Sequence, residues 1–210
     1  MKEKFNKFSV PLGLLDYLNP CFYTITMITI INNIYSQVES PYPIILLVGS
    51  ILSIFFGFII PTGKVIVGLG IIKFKMPISL VFLVNLGILL SGGVLLKYSM
   101  NLNSILLLVL YLIVLFSLFL IYQKSKKMNT IAVLIGAFGY LFTYISLINL
   151  SIKNNKILPI ILFAVAILLF LLLCGIGIRA NLKNPKVHWI IEISNVVCQL
   201  LVMIGTLSLF

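Results

Sequence analysis

Long apolar runs separated by short polar segments dominate this sequence. A helix needs about 20 apolar residues to cross the hydrocarbon core of a bilayer. Seven runs reach or approach that length, and they predict spans over 14–35, 43–60, 77–96, 104–122, 130–150, 157–178 and 188–209. The sequence therefore predicts an all-α polytopic membrane protein, a bundle of about seven transmembrane helices that forms a single integral membrane domain over residues 1–210.

The last run carries a polar stripe. His188, Glu192, Asn195 and Gln199 follow one another in steps of four, three and four residues. Side chains at this spacing share one face of a helix. Polar groups inside a membrane span face protein or water rather than lipid. The stripe therefore indicates a buried polar site on the seventh span.

The first run is the most polar of the seven, and it offers a partner for the stripe. Asp16 and Asn19 lie near its start, at a depth similar to that of Glu192. One interpretation places both carboxylates in a shared vestibule, where they exchange a proton or hold a cationic group. The other places each at headgroup level, paired with Lys186 or a loop lysine. The sequence leaves both interpretations open.

Other polar residues extend the candidate binding set. Asn85 lies inside the third span, and Asn195 and Gln199 lie deep in the seventh. These amides either contact a solute or bond to a neighbouring helix. His188 is either a pH-sensitive group or an interfacial anchor beside Trp189. Spans one, three, five and seven are predicted to line the interior, and the almost wholly apolar spans four and six to face lipid.

Basic residues are distributed unevenly between alternate loops. Twelve of the 15 Lys and Arg residues fall in the N-terminal segment and in the loops around 61–76, 123–129 and 179–187. Because cytoplasmic loops are enriched in Lys and Arg, the N-terminus is predicted to be cytoplasmic and the C-terminus outside. The apolar, glycine-spaced connector 61–76 is interpreted as an interfacial or re-entrant segment, or as an ordinary surface connector.

Composition excludes several classes of protein. The chain is 61% hydrophobic and 9% charged, whereas soluble domains have about 25% charged residues. The net charge of +11 is explained by loop lysines, so no nucleic-acid partner is expected. With three dispersed cysteines and one histidine, we expect no metal site and no cofactor. The single histidine also excludes membrane hydrolases that bind zinc through several histidines.

Three functional hypotheses follow. The first is a small-solute or ion-coupled transporter of a bacterial cell membrane, or a subunit of one, with a cytoplasm-facing polar site that takes a small solute or a proton. The second is a non-catalytic accessory protein that binds another membrane subunit. The third is an enzyme acting on lipid headgroups. The first two come ahead of the third, so no enzymatic activity is expected.

Overall fold

Helices account for nearly all of the described chain. The computed structural model describes residues 9–71, 77–125, 128–179 and 185–210. Among these residues, the helices are α1 (Val10–Asp16), α2 (Leu18–Ile34), α3 (Tyr42–Gly68), α4 (Ile78–Met100), α5 (Ser104–Ser125), α6 (Met128–Lys153), α7 (Ile157–Arg179) and α8 (Pro185–Leu209). With α1 and α2 counted as one, seven helices are long and apolar enough to span a membrane. The predicted all-α bundle is confirmed, and it is compatible with a multi-pass membrane protein.

Two prolines shape the helices that form the site. The helix breaks at Tyr17, between α1 and α2, because Pro20 has no N–H to donate to the carbonyl of Asp16 four residues earlier. Pro61 lies inside α3 and likewise leaves the carbonyl of Gly57 without its helical hydrogen bond. Each proline therefore frees one backbone acceptor.

The helix α3 is longer than the sequence predicts. The sequence predicts that the second span ends at 60 and that a connector covers 61–76. In the structure, α3 continues through Pro61 to Gly68. Packing explains the continuation, because Gly13 of α1 lies against Val65 and a Cβ on Gly13 would be 2.8 Å from the Val65 side chain. Residues 61–68 are thus helical rather than re-entrant, and residues 72–76 lie outside the described chain.

The helices pack as a ring. The α1–α2 segment contacts α3, α3 contacts α4, and α4 contacts α6. The ring continues through α7 and α8, and it closes where α8 contacts α1 and α2. The helix α5 lies outside the ring, against α6 and α4. The first and last helices are therefore neighbours, and α6 also reaches α8 across the ring.

Glycines allow α4 to approach both of its neighbours closely. A Cβ on Gly49 of α3 would lie 2.8 Å from the carbonyl oxygen of Gly87 in α4. A Cβ on Gly139 of α6 would lie 2.6 Å from the backbone nitrogen of Leu89. Small residues at such positions let helix backbones come close enough for extensive van der Waals contact. These contacts fix α4 between α3 and α6.

The two helices that the sequence predicts to face lipid, α5 and α7, are the least buried. Of the most apolar 18 residues, 17% are buried in each of these helices, whereas 50% are buried in α6. The exposed side chains of α5 and α7 are large and apolar, such as Leu108, Phe116 and Leu172. Spans four and six thus present apolar surface outward, as their sequences predict.

Lysines at the opposite end of the bundle from Asp16 act as helix caps. Nζ of Lys153 donates to the carbonyl of Ser99 at the end of α4, at 2.5 Å. Nζ of Lys156 donates to the carbonyls of Ser208 and Leu209 at the end of α8, at 3.1 and 2.8 Å. A cation at a helix C-terminus satisfies carbonyls that lack a helical partner. These two basic residues therefore have a structural explanation.

Candidate functional site

A lysine joins the two carboxylates that the sequence singles out. Nζ of Lys64 lies 2.7 Å from Oδ2 of Asp16 and 2.6 Å from Oε1 of Glu192. The three side chains are 10–14% exposed. They come from α1, α3 and α8, and we call them the charged triad. The triad ties three helices together at the end of the bundle where α1 begins and α3 ends.

The triad is unbalanced in charge. With all three groups ionised, two carboxylates face one ammonium, and the sum is one net negative charge. Removing ions from water is costly, and their mutual attraction offsets this cost only when further hydrogen bonds satisfy them. Asn19 supplies one such bond, because its Nδ2 donates to Oδ1 of Asp16 at 2.9 Å. Both oxygens of Asp16 thus have a partner.

A cavity of about 140 Å³ with both polar and apolar walls adjoins the triad. Residues of α1, α2, α3, α4, α6 and α8 form its walls, and the polar ones are Asp16, Asn19, Tyr23, Ser53, Tyr140 and Asn195. Since a water molecule in the liquid occupies roughly 30 Å³, the cavity has room for several waters or one small solute. The cavity and the triad share Asp16 and form one site.

The hydroxyl groups on one side of the cavity are oriented by backbone carbonyls. The hydroxyl of Tyr23 lies 3.3 Å from Oγ of Ser91 and 3.5 Å from Oγ of Ser53. Ser53 donates its proton to the carbonyl of Gly49 at 2.7 Å, and Ser91 donates to that of Gly87 at 3.0 Å. The serine oxygens therefore offer lone pairs, and Tyr23 is the donor between them.

One acceptor in the cavity has no partner. Oδ1 of Asn19 is buried and lacks a hydrogen bond to any described residue, and Asn19 is only 9% exposed. A buried polar atom without a partner costs about 1–3 kcal/mol. Asp16 holds the other end of this amide, and Asn19 is one of the residues that line the cavity. The unpartnered oxygen therefore belongs to a residue of the cavity wall, and a donor that reached it would satisfy it.

The structure brings together most of the residues predicted from the sequence. Asp16 and Glu192 meet through Lys64, and Asn19 and Asn195 line the cavity. Gln199 is 3% exposed and hydrogen bonds to the side chain of Tyr140, which also lines the cavity. The structure contains elements of both interpretations of the carboxylates. Asp16 and Glu192 are paired with a lysine, and this ion pair is buried beside a cavity.

Two predicted residues lie elsewhere. His188 is half-buried near the start of α8 and does not line the cavity that the described residues form. Asn85 bonds to a neighbouring helix, because its Nδ2 donates to the carbonyl of Ala132 in α6 at 2.8 Å. Its amide also packs against Gly136, where an added Cβ would clash with Oδ1 of Asn85. Asn85 thus matches the interhelical alternative.

Sequence reasoning missed the residue at the centre of the site. Lys64 falls in the segment 61–76, which the sequence predicts to be a connector, and Tyr23, Ser53 and Tyr140 are not among the predicted binding residues. A signal for Lys64 existed, since it is the only charged residue in the apolar stretch 40–72. A lone charge inside such a stretch is unfavourable without a partner, and the two carboxylates near span ends were the available partners.

Replacing Asn85 by alanine tests its structural role. The variant Asn85→Ala removes the bond to Ala132 and leaves a carbonyl in α6 without its second donor. We expect the free energy of unfolding to fall by about 1 kcal/mol, the usual contribution of an interhelical side-chain bond. Unfolding in detergent micelles, followed by circular dichroism, measures the change. A variant as stable as the wild type would contradict this role.

No protein-family model, curated protein or solved structure matches this chain.

Proposed function

We propose that this chain is a multi-pass protein of the cell membrane that transports a small solute or ion through the cavity beside the charged triad. The N-terminus is cytoplasmic in this proposal, so the triad end of the cavity faces the cytoplasm. The observation that carries the proposal is the burial of the charged triad inside a bundle of apolar helices, next to a cavity whose wall includes its member Asp16.

Energetics favour a functional role for the triad over a purely structural one. Buried ion pairs often contribute no more stability than well-packed apolar residues of similar volume. Ionisable groups within membrane spans commonly belong to solute or proton pathways. A scaffold made only for stability would be expected to fill the space around Asn19 instead of leaving an acceptor unsatisfied.

The triad suggests how the site opens. Lys64 on α3 holds Asp16 on α1 and Glu192 on α8. A proton on either carboxylate removes one of the two attractions that hold the ammonium, and the net charge of the triad becomes zero. The helices are then less tightly tied at this end, and the cavity opens toward the cytoplasm. Reformation of the triad closes it, which is one half of an alternating-access cycle.

Neutralising Asp16 is the direct test. The variant Asp16→Asn keeps the shape of the side chain but removes its charge, so we expect uptake into proteoliposomes to fall by about tenfold or more, as for loss of a charged hydrogen bond. Uptake of radiolabelled methylammonium, glycine and glucose is measured with and without an imposed pH gradient.

The matched control is Glu39→Gln. It removes the same charge from a carboxylate that is 86% exposed and lies at the other end of the bundle. Glu39→Gln is expected to transport like the wild type. The proposal would be contradicted if, for all three solutes, liposomes with the wild-type protein took up solute no faster than protein-free liposomes. Equal uptake by folded Asp16→Asn and wild type would do so too, and a fixed copurifying partner would then favour the accessory role.

A further inference from the structure

We infer that the cavity binds a small ammonium cation, either ammonium itself or a short primary alkylammonium. This inference names the solute class of the proposed transport site and so rests on the proposed function. It depends on three properties of the cavity, which are its excess of hydrogen-bond acceptors, its net charge and the composition of its walls.

The first property is the excess of acceptors. Oδ1 of Asn19 has no partner, while the donating end of the same amide is used by Asp16. The proton of Ser53 is used by the carbonyl of Gly49, so its oxygen can only accept within the cavity. These two oxygens favour a bound molecule that donates hydrogen bonds. A primary alkylammonium brings three N–H donors, and ammonium itself brings four.

Two backbone carbonyls add to this excess. Pro20 and Pro61 remove the helical partners of the carbonyls of Asp16 and Gly57, and both Asp16 and Gly57 line the cavity. Two prolines thus free acceptors at two wall residues of one small cavity. In membrane-embedded helices, carbonyls freed in this way coordinate cations when they border a cavity.

The second property is charge. The triad carries one net negative charge when it is ionised, and Asp16 forms part of the cavity wall. A monovalent cation in the cavity brings the total to zero, whereas an anion would add to the imbalance in a site shielded from water. Tyr23 and Tyr140 border the same space, and the faces of aromatic rings attract ammonium groups.

The third property separates an ammonium from a bare alkali cation. The remaining walls are apolar and include Pro20, Ile60 and Ile88. An alkali cation would gain nothing from these side chains, but a methyl or ethyl group would be buried against them. The volume of about 140 Å³ is sufficient for a short alkylammonium.

Binding of radiolabelled methylammonium to the purified protein in detergent micelles tests the inference. Binding is expected to saturate, and ammonium and ethylammonium are expected to compete for it more strongly than sodium or potassium at the same ionic strength. Asn19→Leu and Ser53→Ala each remove an acceptor, so each is expected to weaken binding by about tenfold, as for loss of a hydrogen bond to a charged group. Ser53→Ala is the smaller change and guards against misfolding of the first variant. Glu39→Gln is expected to bind as the wild type does.

Three results would overturn the inference. They are absence of saturable methylammonium binding by the folded wild type, unchanged binding by folded Asn19→Leu and Ser53→Ala, and competition by sodium or potassium as strong as that by ammonium. Because binding in micelles requires no flux, it separates the two proposals. Binding without uptake contradicts transport and leaves the ligand assignment intact. Uptake of glycine or glucose without methylammonium binding contradicts the ligand assignment alone.

Discussion

Replacing Lys64 by methionine is expected to lower the free energy of unfolding by about 3–5 kcal/mol, the range for breaking a buried ion pair from one side. Lys64→Met keeps most of the side-chain volume but leaves Asp16 and Glu192 buried together without a cation. Two adjacent carboxylates then repel each other in a site with little water. Unfolding in micelles titrated with a denaturing detergent measures the loss.

A multiple-mutant cycle separates lost charge from lost packing. In a background where Asp16→Asn and Glu192→Gln remove both negative charges, Lys64→Met is expected to cost far less than it does in the wild type. The difference between the two costs is the coupling energy of the triad. Equal costs in both backgrounds would mean that the lysine acts through its aliphatic chain alone.

Enlarging Gly139 is the second change with a large expected effect. In Gly139→Leu the new side chain meets the backbone of α4 at Ile88 and Leu89, within 2.6–2.8 Å of its first carbon. Backbone cannot move aside as a flexible side chain can, so α4 and α6 have to separate. We expect a loss of about 3 kcal/mol in the free energy of unfolding, at the upper end of the usual cost of overpacking.

The chain offers a matched control for this substitution. Gly175 is a helical glycine of α7 with nothing within 4 Å of its Cβ position. Gly175→Leu introduces the same side chain with the same gain in helix propensity, and it is expected to leave stability unchanged or slightly higher. If both variants lost stability equally, the close approach of α4 and α6 would not be the cause.

The length of the apolar runs is sufficient to predict the helices but not all their ends. The sequence predicts that the run containing α3 stops at 60, and Pro61, Gly63 and Lys64 follow that boundary. In the fold, packing of α1 against Val65 and the ion pairs of Lys64 offset these unfavourable residues. Both contacts join parts of the chain that are distant in sequence, and local patterns do not contain them.

The candidate site was predictable to the extent that its residues were unusual for their surroundings. Asp16 and Glu192 stood out as carboxylates at span ends, and their spacing on helical faces placed Asn19 and Asn195 beside them. Tyr23 and Ser53 did not stand out, because tyrosine and serine are common in membrane helices and need no charged partner. Their place in the site depends on how the ring of helices closes, which the sequence alone does not specify.

The order of the triad along the chain has a consequence for biosynthesis. Asp16 and Lys64 belong to helices that leave the ribosome early, whereas Glu192 follows much later on α8. When α1 and α3 first pack, their pair is electrically neutral, and a nascent bundle without α8 carries no unbalanced charge at this point. The excess negative charge arrives only with the final helix, at the step that closes the ring. Until α8 arrives, a partly synthesised chain therefore holds a neutral Asp16–Lys64 pair at this point and not an uncompensated buried anion.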